Sequence, residues 1–400
     1  MKNVHDFLLS LKPSTIKLGL ERTRALLKKC GNPQNKLKII QVAGTNGKGS
    51  VCAMLESIYR AGGLKTGLFT SPHLVHINER IRVNGISVSD FHLETFVNQF
   101  KESIISLDAS FFETLTAFAF WNFCKEKVDI AIMETGLGGR LDSVTACNPM
   151  ITIMTKISLD HIEILGNSLE KITHEKAGIL KKGTPCYSTK QENDVKKALL
   201  KYAQEIQCPI YFSECPALIE LKLPGRHQQE NATLAKFAVK HSQLFPVEEH
   251  VIDAGLNNMN WYGRYQVLSE KPKIIFDVGH NHDGISAFLN TISNEEIIGK
   301  SSLVIALQNR KNIKNLAIKI SKQFDNIYCG EIRVKNYMPE IKLMSQLGSP
   351  KKAHLIGEID HQKLSNFVAS LNNEDCLAII GSHYFGETVS RAFKISFDNL

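Results

Sequence analysis

The sequence of 400 residues lacks long hydrophobic runs and paired cysteine motifs. No apolar stretch approaches the ~18 residues that a membrane-spanning helix needs. His5, Asp6 and Lys12 interrupt the segment where a signal peptide would have its apolar core. The nine cysteines include no C-x-x-C pair, which argues against a disulfide framework or a zinc site. We therefore expect a cytoplasmic protein with reduced thiols and no membrane partner.

Acidic residues are outnumbered, and the formal net charge is +8. A positive surface could attract nucleic acid, but the chain has no basic block with interleaved aromatic residues, so we expect no nucleic-acid partner. Small polyanions such as ATP, or acidic substrates, are the alternative partners. The charge alone does not choose between ATP and an acidic substrate.

Apolar runs alternate with helical patterns along the chain, which is typical of an α/β protein with a parallel sheet. The predicted strands of a first series lie at 37–42, 64–70, 128–133 and 150–155, with a further short strand before Pro185. Helices are predicted at 50–63 and 168–182, and 261–272 is predicted to be irregular. The predicted strands of a second series lie at 273–279, 301–307, 326–332 and 376–382.

A chain of this length can form two or three domains with full hydrophobic cores. We place a boundary at about residue 265, between the two series of strands. The prediction is an α/β protein with a domain over 1–264 that is built on a parallel-rich sheet and is P-loop ATPase-like because of the glycine-rich stretch at 42–51, which is described next. A smaller, Rossmann-like α/β domain is predicted over 265–400.

The stretch "VAGTNGKGSV", residues 42–51, departs from the usual phosphate-loop pattern G-x-x-x-x-G-K-[ST]. Gly49 separates Lys48 from Ser50, and the expected leading glycine falls on Val42. A buried strand that runs into glycines and then a helix is nevertheless the arrangement in which backbone N–H groups bind phosphate.

The alternative for this stretch is a simple strand-to-helix turn, which needs one glycine and no lysine. We favour a phosphate loop in which Lys48 supplies positive charge and the Ser50 hydroxyl reaches Mg²⁺. The predicted nucleotide-binding residues are Gly44, Thr45, Asn46, Gly47, Lys48, Gly49 and Ser50.

The loop "GTNGKGS" resembles that of the folylpolyglutamate synthase/dihydrofolate synthase family, which is similar to the Mur peptide ligases. Further motifs follow in the order typical of that family: "TSPHL", "NERIRVNG", "METGLGGRLD", "SLDHIEILG", "HEKAGILK", "LPGRHQQENA", "GRYQ", "DVGHNHDG" and "GSHYFGE". A Mur ligase has a further domain before its loop, whereas only 43 residues precede Gly44, which is too few for an ordinary domain. The glycine after Lys48 also favours the folate branch.

The resemblance implies an ATP- and Mg²⁺-dependent ligase that adds L-glutamate to dihydropteroate and to reduced folates through an acyl phosphate. A folylpolyglutamate synthase without the first activity, or another Mur-type ligase, is the alternative. A motor-type P-loop NTPase would need an aspartate where the strand ends in Glu134. A nucleotide-binding module without catalysis is the remaining alternative. We expect a monomer.

Glu134 ends an apolar strand, where a purely structural strand would not favour a carboxylate. The resemblance implies that Ser71, Glu134 and His161 are magnesium ligands, in addition to Ser50, which is predicted from its place in the phosphate loop. It also implies that Lys176 is carbamylated and contributes to a metal site. The alternatives are a helix cap for Ser71, a solvated loop position for His161 and a solvated helix surface for Lys176.

The resemblance further implies ATP contacts for Asn231, Arg264 and Asp277, with His280 beside them. Asn231 could instead cap a helix. Lys48, Lys176 and His280 are the expected catalytic residues. Arg264 lies near the predicted domain boundary, where an arginine can neutralise the transferring phosphoryl group.

The pterin pocket implied by the resemblance comprises Thr15, Ser110, Phe111, Phe112, Glu113, Leu141, Asp142 and Ser143. Phe112 could stack on a flat heterocycle, although an aromatic stripe at helical spacing is more often part of a core. Arg80 and Ser382 are candidates for binding the glutamate carboxylates, because an arginine fork matches a carboxylate.

Overall fold

The computed structural model describes residues 4–11, 18–214, 218–242, 244–332, 334 and 336–400. The chain divides into two compact units. The first comprises Met1–Lys222, Gln228–Met259 and Asp398–Leu400, and the second comprises Leu223–His227 and Asn260–Phe397. Among the described residues, no helix has both the length and the apolar character needed to cross a membrane.

The first unit is built on an eight-stranded sheet. Its strands are β1 (Ile39–Ala43), β2 (Thr66–Phe69), β3 (Ile81–Val83), β4 (Ile86–Ser87), β5 (Ile130–Glu134), β6 (Ile151–Met154), β7 (Cys186–Ser188) and β8 (Ile210–Phe212). Their order is β4-β3-β2-β5-β1-β6-β7-β8. Six neighbouring strands run parallel to one another: β2, β5, β1, β6, β7 and β8. The strands β3 and β4 form an antiparallel edge next to β2. The central strands are buried, which explains their continuous apolar runs.

Within the described ranges, ten helices accompany this sheet. They are α1 (Val4–Ser10), α2 (Glu21–Lys29), α3 (Lys48–Ala61), α4 (Asp90–Ser106), α5 (Phe111–Lys125), α6 (Ile162–Leu165), α7 (Leu169–Ala177), α8 (Asn193–Glu205), α9 (Arg226–Ser242) and α10 (Glu249–Asn258). Short 3-10 turns span Pro33–Lys36, Ile77–Arg80 and Ser143–Ala146. Most of the aromatic stripe of α5 is core, since Phe118, Phe120 and Phe123 are fully buried.

The second unit has a six-stranded sheet in the order β13-β12-β11-β14-β10-β9. The strands are β9 (Gln266–Glu270), β10 (Lys273–Asp277), β11 (Ser301–Ile305), β12 (Asn326–Glu331), β13 (Ala353–Glu358) and β14 (Cys376–Ile380). All are parallel except β9, which pairs antiparallel with β10. The helices are α11 (His282–Ile292), α12 (Ala317–Gln323), α13 (Glu340–Gln346), α14 (His361–Ala369) and α15 (Phe385–Phe393), with a 3-10 turn at Lys314–Leu316.

The predicted fold class is confirmed, but three local predictions are wrong. The stretch 261–272 contains β9, an edge strand whose partial exposure hides the usual alternation. The short strand follows Pro185, because proline has no N–H, and the first N–H available is that of Cys186, which donates to the carbonyl oxygen of Pro209 just before β8. The helix predicted at 168–182 ends at Ala177, where Gly178 packs against the backbone of Arg140.

Candidate functional site

Four neighbouring strands of the first sheet end at one edge, and the predicted metal and phosphate residues lie at or after their last residues. The strands β2, β5, β1 and β6 are adjacent and parallel, so their carboxyl ends meet there. In the register, Val42 pairs with Glu134 and Phe69 with Met133. Open α/β sheets bind ligands at this edge.

The phosphate loop joins β1 to α3. The helix begins at Lys48, so Lys48 and Ser50 lie in its first turn. The backbone N–H of Thr45 donates to the carbonyl oxygen of Lys156 (2.8 Å), and its hydroxyl donates to that of Ser158 (3.0 Å). The chain after β6 therefore holds the loop in place at a helix N-terminus, where backbone N–H groups favour an anion.

Two glycines of the loop are required by their surroundings. Gly44 and Gly47 have φ of 148° and 88°, in the range that favours glycine. A Cβ on Gly44 would collide with the side chain of Thr155, and one on Gly47 with Oδ1 of Asn231. Asn231 thus lies against the loop, within a helix that begins at Arg226, and does not act as its cap.

Lys176 is buried directly under the loop. Its Nζ donates to the carbonyl oxygen of Gly44 (2.7 Å). Burial, reinforced by the charge of Lys48, lowers the pKa of Lys176 to about 7, against the opposing influence of Asp160 and Asp142. Lys48 itself donates to the carbonyl oxygen of Thr45 (3.3 Å). A solvated helix surface for Lys176 is therefore excluded.

Glu134 and Ser71 lie together at the strand ends. Glu134 is buried, and its Oε2 accepts the backbone N–H of Ser71 at 2.8 Å. His161 precedes α6 with φ of 51°, and its N–H donates to Oδ1 of Asp160. Its Nε2 lies 3.9 Å from Oδ2 of Asp160.

The described residues contain no cluster of three or more His, Cys, Asp or Glu arranged to hold a metal ion. Mg²⁺ keeps several waters and needs only one or two protein carboxylates besides substrate phosphates. The buried carboxylate of Glu134, which accepts the backbone N–H of Ser71, has donor chemistry that fits Mg²⁺.

Two residues of the predicted pterin pocket form hydrogen bonds or an ion pair that stabilise the fold. Ser110 and Glu113 form a capping box at the start of α5, in which the Ser110 N–H donates to Oε2 of Glu113 at 2.7 Å. Arg22 pairs with Glu113 at 3.0 Å. The capping box accounts for the burial of both side chains, and their role in substrate binding stays a prediction.

Asp142 fixes the loop that follows β5. Its Oδ2 accepts the N–H groups of Gly136 and Leu137, both at 2.9 Å, and its Oδ1 accepts that of Val144 at 3.0 Å. Burial raises the pKa of Asp142 to about 6 against these hydrogen bonds. Of its neighbours, Leu141 accepts the N–H of Gly19 and Ser143 begins a 3-10 turn.

An aromatic and basic group lies near the Ser71 loop. Phe112 packs against Phe69 with ring centroids 5.7 Å apart and comes so close to Gly136 that a Cβ there would lie 2.6 Å from its ring. The Arg80 guanidinium lies 5.3 Å from the centroid of Phe111. Thr15 lies outside the described residues.

The predicted residues of the second unit lie just before β9, at and after the end of β10, and after β14. Both oxygens of Asp277 accept backbone N–H groups, from Tyr265 (2.8 Å) and Gly279 (2.6 Å). Burial raises the pKa of Asp277, and Arg264 opposes that shift. Asp277 therefore fixes the turn that carries Arg264. Ser382 is buried, and its Oγ accepts the N–H of Tyr384.

Two histidines contact predicted site residues but were not predicted as site residues themselves. His73 accepts a hydrogen bond from Nε of Arg80 at 2.9 Å, and His383 lies 3.5 Å from Nη2 of Arg264. Both histidines occur in motifs quoted above: His73 lies two residues after Ser71 in "TSPHL", and His383 directly follows Ser382 in "GSHYFGE". Their position next to predicted site residues was the available signal.

Comparison with known proteins identifies the family. Residues 42–213 match the model of the Mur ligase middle domain. The chain is 33% identical over 335 residues to the dihydrofolate synthase/folylpolyglutamate synthase of Bacillus subtilis, which covers 75% of this chain and 78% of that protein. The chain belongs to the dihydrofolate synthase/folylpolyglutamate synthase family. The resemblance found in the motifs is thereby confirmed.

Solved structures of this family share the fold. E. coli FolC in complex with DHPP and ADP has a TM-score of 0.88 and 28% identity, with 98% of each chain covered. A bifunctional folylpolyglutamate synthase/dihydrofolate synthase with Mn, AMPPNP and L-glutamate bound has a TM-score of 0.87 and 28% identity, with 99% of each chain covered. The predicted class, an ATP-dependent ligase, is confirmed. An adenine nucleotide and a divalent metal are confirmed as ligands of the family.

Proposed function

We propose that this chain joins L-glutamate to folate-type carboxylates at the expense of ATP, and that it accepts both dihydropteroate and reduced folates. The observation that carries the proposal is the grouping of Lys48, Lys176 and Glu134 around one phosphate loop. The names of the relatives and the DHPP and L-glutamate in their structures support these substrates.

The proposed reaction has two steps. A carboxylate oxygen of the acceptor attacks the γ-phosphorus of ATP, and ADP leaves with the former bridging oxygen. The α-amine of glutamate then attacks the acyl phosphate carbon, phosphate leaves, and the amine loses a proton. Lys48 and the α3 N-terminus bind phosphate oxygens, and Arg264 and His280 are assigned to support the transfer. The protein acts mainly through charge and position.

Ser50, Ser71, Glu134 and His161 are the residues that would hold Mg²⁺, and the ion would shield the negative charge of the phosphates. A carbamate on Lys176 would add an anionic oxygen donor of the kind that Mg²⁺ prefers. The low pKa of Lys176 supports this, because a neutral amine captures CO₂.

Acceptor and glutamate are assigned to separate residues. Phe112 and its neighbours in the predicted pterin set bind the flat heterocycle, and Arg80 and Ser382 bind the glutamate carboxylates. In this proposal, residues 1–264 serve nucleotide binding and residues 265–400 serve glutamate ligation. The monomeric state and the location in the cytoplasm stay predictions.

The experiment is an ADP-release assay with the full chain, ATP and Mg²⁺, with dihydropteroate and tetrahydrofolate compared as acceptors. We expect release with both, dependent on glutamate, and a product heavier by one glutamyl residue. Lys48→Ala should reduce turnover by more than about tenfold, that is by over ~1.4 kcal/mol of transition-state stabilisation. Lys171→Ala, on an exposed helix surface, is the matched control.

Activity on tetrahydrofolate alone would restrict the enzyme to folylpolyglutamate synthesis. ADP release that depends on an amino acid but on neither pteridine acceptor would indicate another Mur-type ligase. No ligation with any acceptor, in a protein that still binds ATP, would overturn the proposal.

A further inference from the structure

The second sheet brings two histidines together at its carboxyl edge. The strands β10 and β14 are paired in parallel, with Asp277 opposite Ile380. The residues that follow them, among them His280 and His383, therefore lie at the same edge. Their rings are in T-shaped contact with centroids 5.4 Å apart.

The side chain of Arg264 reaches the same place from a separate turn. The N–H of Val278 donates to the carbonyl oxygen of Gly263 (3.0 Å), and Asp277 accepts the N–H of Tyr265. The guanidinium is held at both terminal nitrogens: Nη1 donates to the oxygen of Gly263 (3.1 Å), and Nη2 lies 3.5 Å from Nε2 of His383.

The proton positions follow from the partners. A guanidinium is always protonated and can only donate, so Nε2 of His383 is the acceptor and its proton is on Nδ1. Nδ1 of His280 lies 3.0 Å from the carbonyl oxygen of Val278, which can only accept. Nδ1 is therefore protonated in both imidazoles, His383 is neutral, and Arg264 has the only permanent charge among these three side chains.

We propose that His383 is a positioning residue for the ligase reaction, acting through Arg264. As the acceptor for Nη2 it fixes the plane of the guanidinium, and its ring contact fixes His280 beside it. A long arginine side chain that is already oriented loses less freedom when a developing charge is placed against it. This inference rests on the ligase function proposed above.

The test compares two substitutions at position 383 in the full chain, measured by glutamate-dependent ADP release. His383→Leu removes the acceptor, whereas His383→Gln keeps an uncharged acceptor oxygen. We expect the leucine variant to lose about tenfold or more in kcat with the KM for ATP changed by less than about threefold. The glutamine variant should recover most of that loss. His354→Leu, an exposed histidine on β13, is the control and should match the wild type.

A double-mutant cycle with Arg264→Lys separates positioning from a structural role. If His383 acts through Arg264, His383→Leu should have little further effect on kcat in the Arg264→Lys background. An equal loss in both backgrounds, or no loss in the wild-type background, would overturn the inference. A wild-type chain without ligase activity would instead overturn the proposed function, whatever the variants do.

Discussion

The Nζ of Lys176 lies 2.7 Å from the carbonyl oxygen of Gly44, a residue 132 positions earlier in the chain. This bond joins the end of α7 to the first residue of the phosphate loop. Because the amine is buried near the charge of Lys48, the pKa of Lys176 falls to about 7 from an ordinary value of 10.5. Two predictions depend on this lowered pKa.

The first is that turnover depends on CO₂. A lysine with a pKa near 7 is mostly neutral at pH 8, whereas an ordinary lysine is almost fully protonated there, and only the neutral amine forms a carbamate. Removing dissolved CO₂ at pH 8 should lower turnover, and bicarbonate should restore it. ¹³C-labelled bicarbonate should give a carbamate NMR signal that is absent from Lys176→Ala.

Short carboxylates should partly restore turnover to Lys176→Ala, since they can replace the missing anion. A fully active alanine variant, with no carbamate signal in the wild type, would disprove the modification.

The second prediction concerns stability. The folded-state pKa of Lys176 is below its unfolded value, so the unfolded chain binds the proton more tightly between about pH 7 and 10.5. The cost of burying this lysine is therefore greatest below pH 7 and decreases as the pH rises toward 10.5. Lys176→Met should be more stable than the wild type at pH 6 by at least ~1 kcal/mol, the scale of one pKa unit.

Urea unfolding at pH 6 and pH 9, in buffers free of CO₂ and nucleotide, measures this difference. The advantage of the methionine variant should shrink at pH 9. An advantage that stayed constant or grew with pH would show that the pKa of Lys176 is not lowered in the folded protein.

A third prediction tests the close approach at Gly47. In Gly47→Ala the new side chain would have to adopt a φ of 88° and would collide with Asn231. We therefore expect nucleotide affinity to fall by about tenfold or more, which is ~1.4 kcal/mol. Gly63 has a similar φ of 81° but nothing within 4 Å of an added Cβ. Gly63→Ala should therefore show the backbone strain alone, ~1 kcal/mol of stability with unchanged nucleotide affinity.

Calorimetric titration with AMPPNP and a thermal melt distinguish the two variants. Equal nucleotide affinities for Gly47→Ala and Gly63→Ala would mean that the contact between Gly47 and Asn231 has no part in binding.

The sequence predicts the site where local pattern and sheet topology are sufficient. A buried strand followed by glycines predicts the phosphate loop, and adjacent parallel strands bring Ser71 and Glu134 to the same edge. The burial of Lys176 could not be predicted from the local sequence pattern, because charged residues surround it in the sequence and its hydrogen-bond partner Gly44 is distant along the chain. The edge strand β9 was missed because its half-exposed residues show no clean alternation.

The sequence also contained a signal that was interpreted only as substrate binding. Ser110 and Glu113 are spaced as S-x-x-E before an apolar run, which is the pattern of a capping box. The structure has that capping box.

The last prediction isolates the charge of Glu134 from its packing. In Glu134→Gln the amide oxygen can still accept the N–H of Ser71, so the fold should change little while the anionic metal ligand is lost. We expect the Mg²⁺ concentration for half-maximal turnover to rise by about tenfold or more. Glu56 is an equally buried carboxylate elsewhere in the unit, at 1% exposure against 3% for Glu134. Its Oε1 accepts hydrogen bonds from Thr66 and Arg60.

Glu56→Gln breaks the ion pair between the buried Glu56 and the partly exposed Arg60, and should lower the melting temperature without changing the Mg²⁺ requirement. The two substitutions should therefore have opposite signatures: one in the metal titration, the other in the thermal melt. If both variants needed the same Mg²⁺ concentration as the wild type, Glu134 would be a structural carboxylate and the metal assignment would be wrong. Mn²⁺ binding in the presence of AMPPNP, followed by electron paramagnetic resonance, checks the result without turnover.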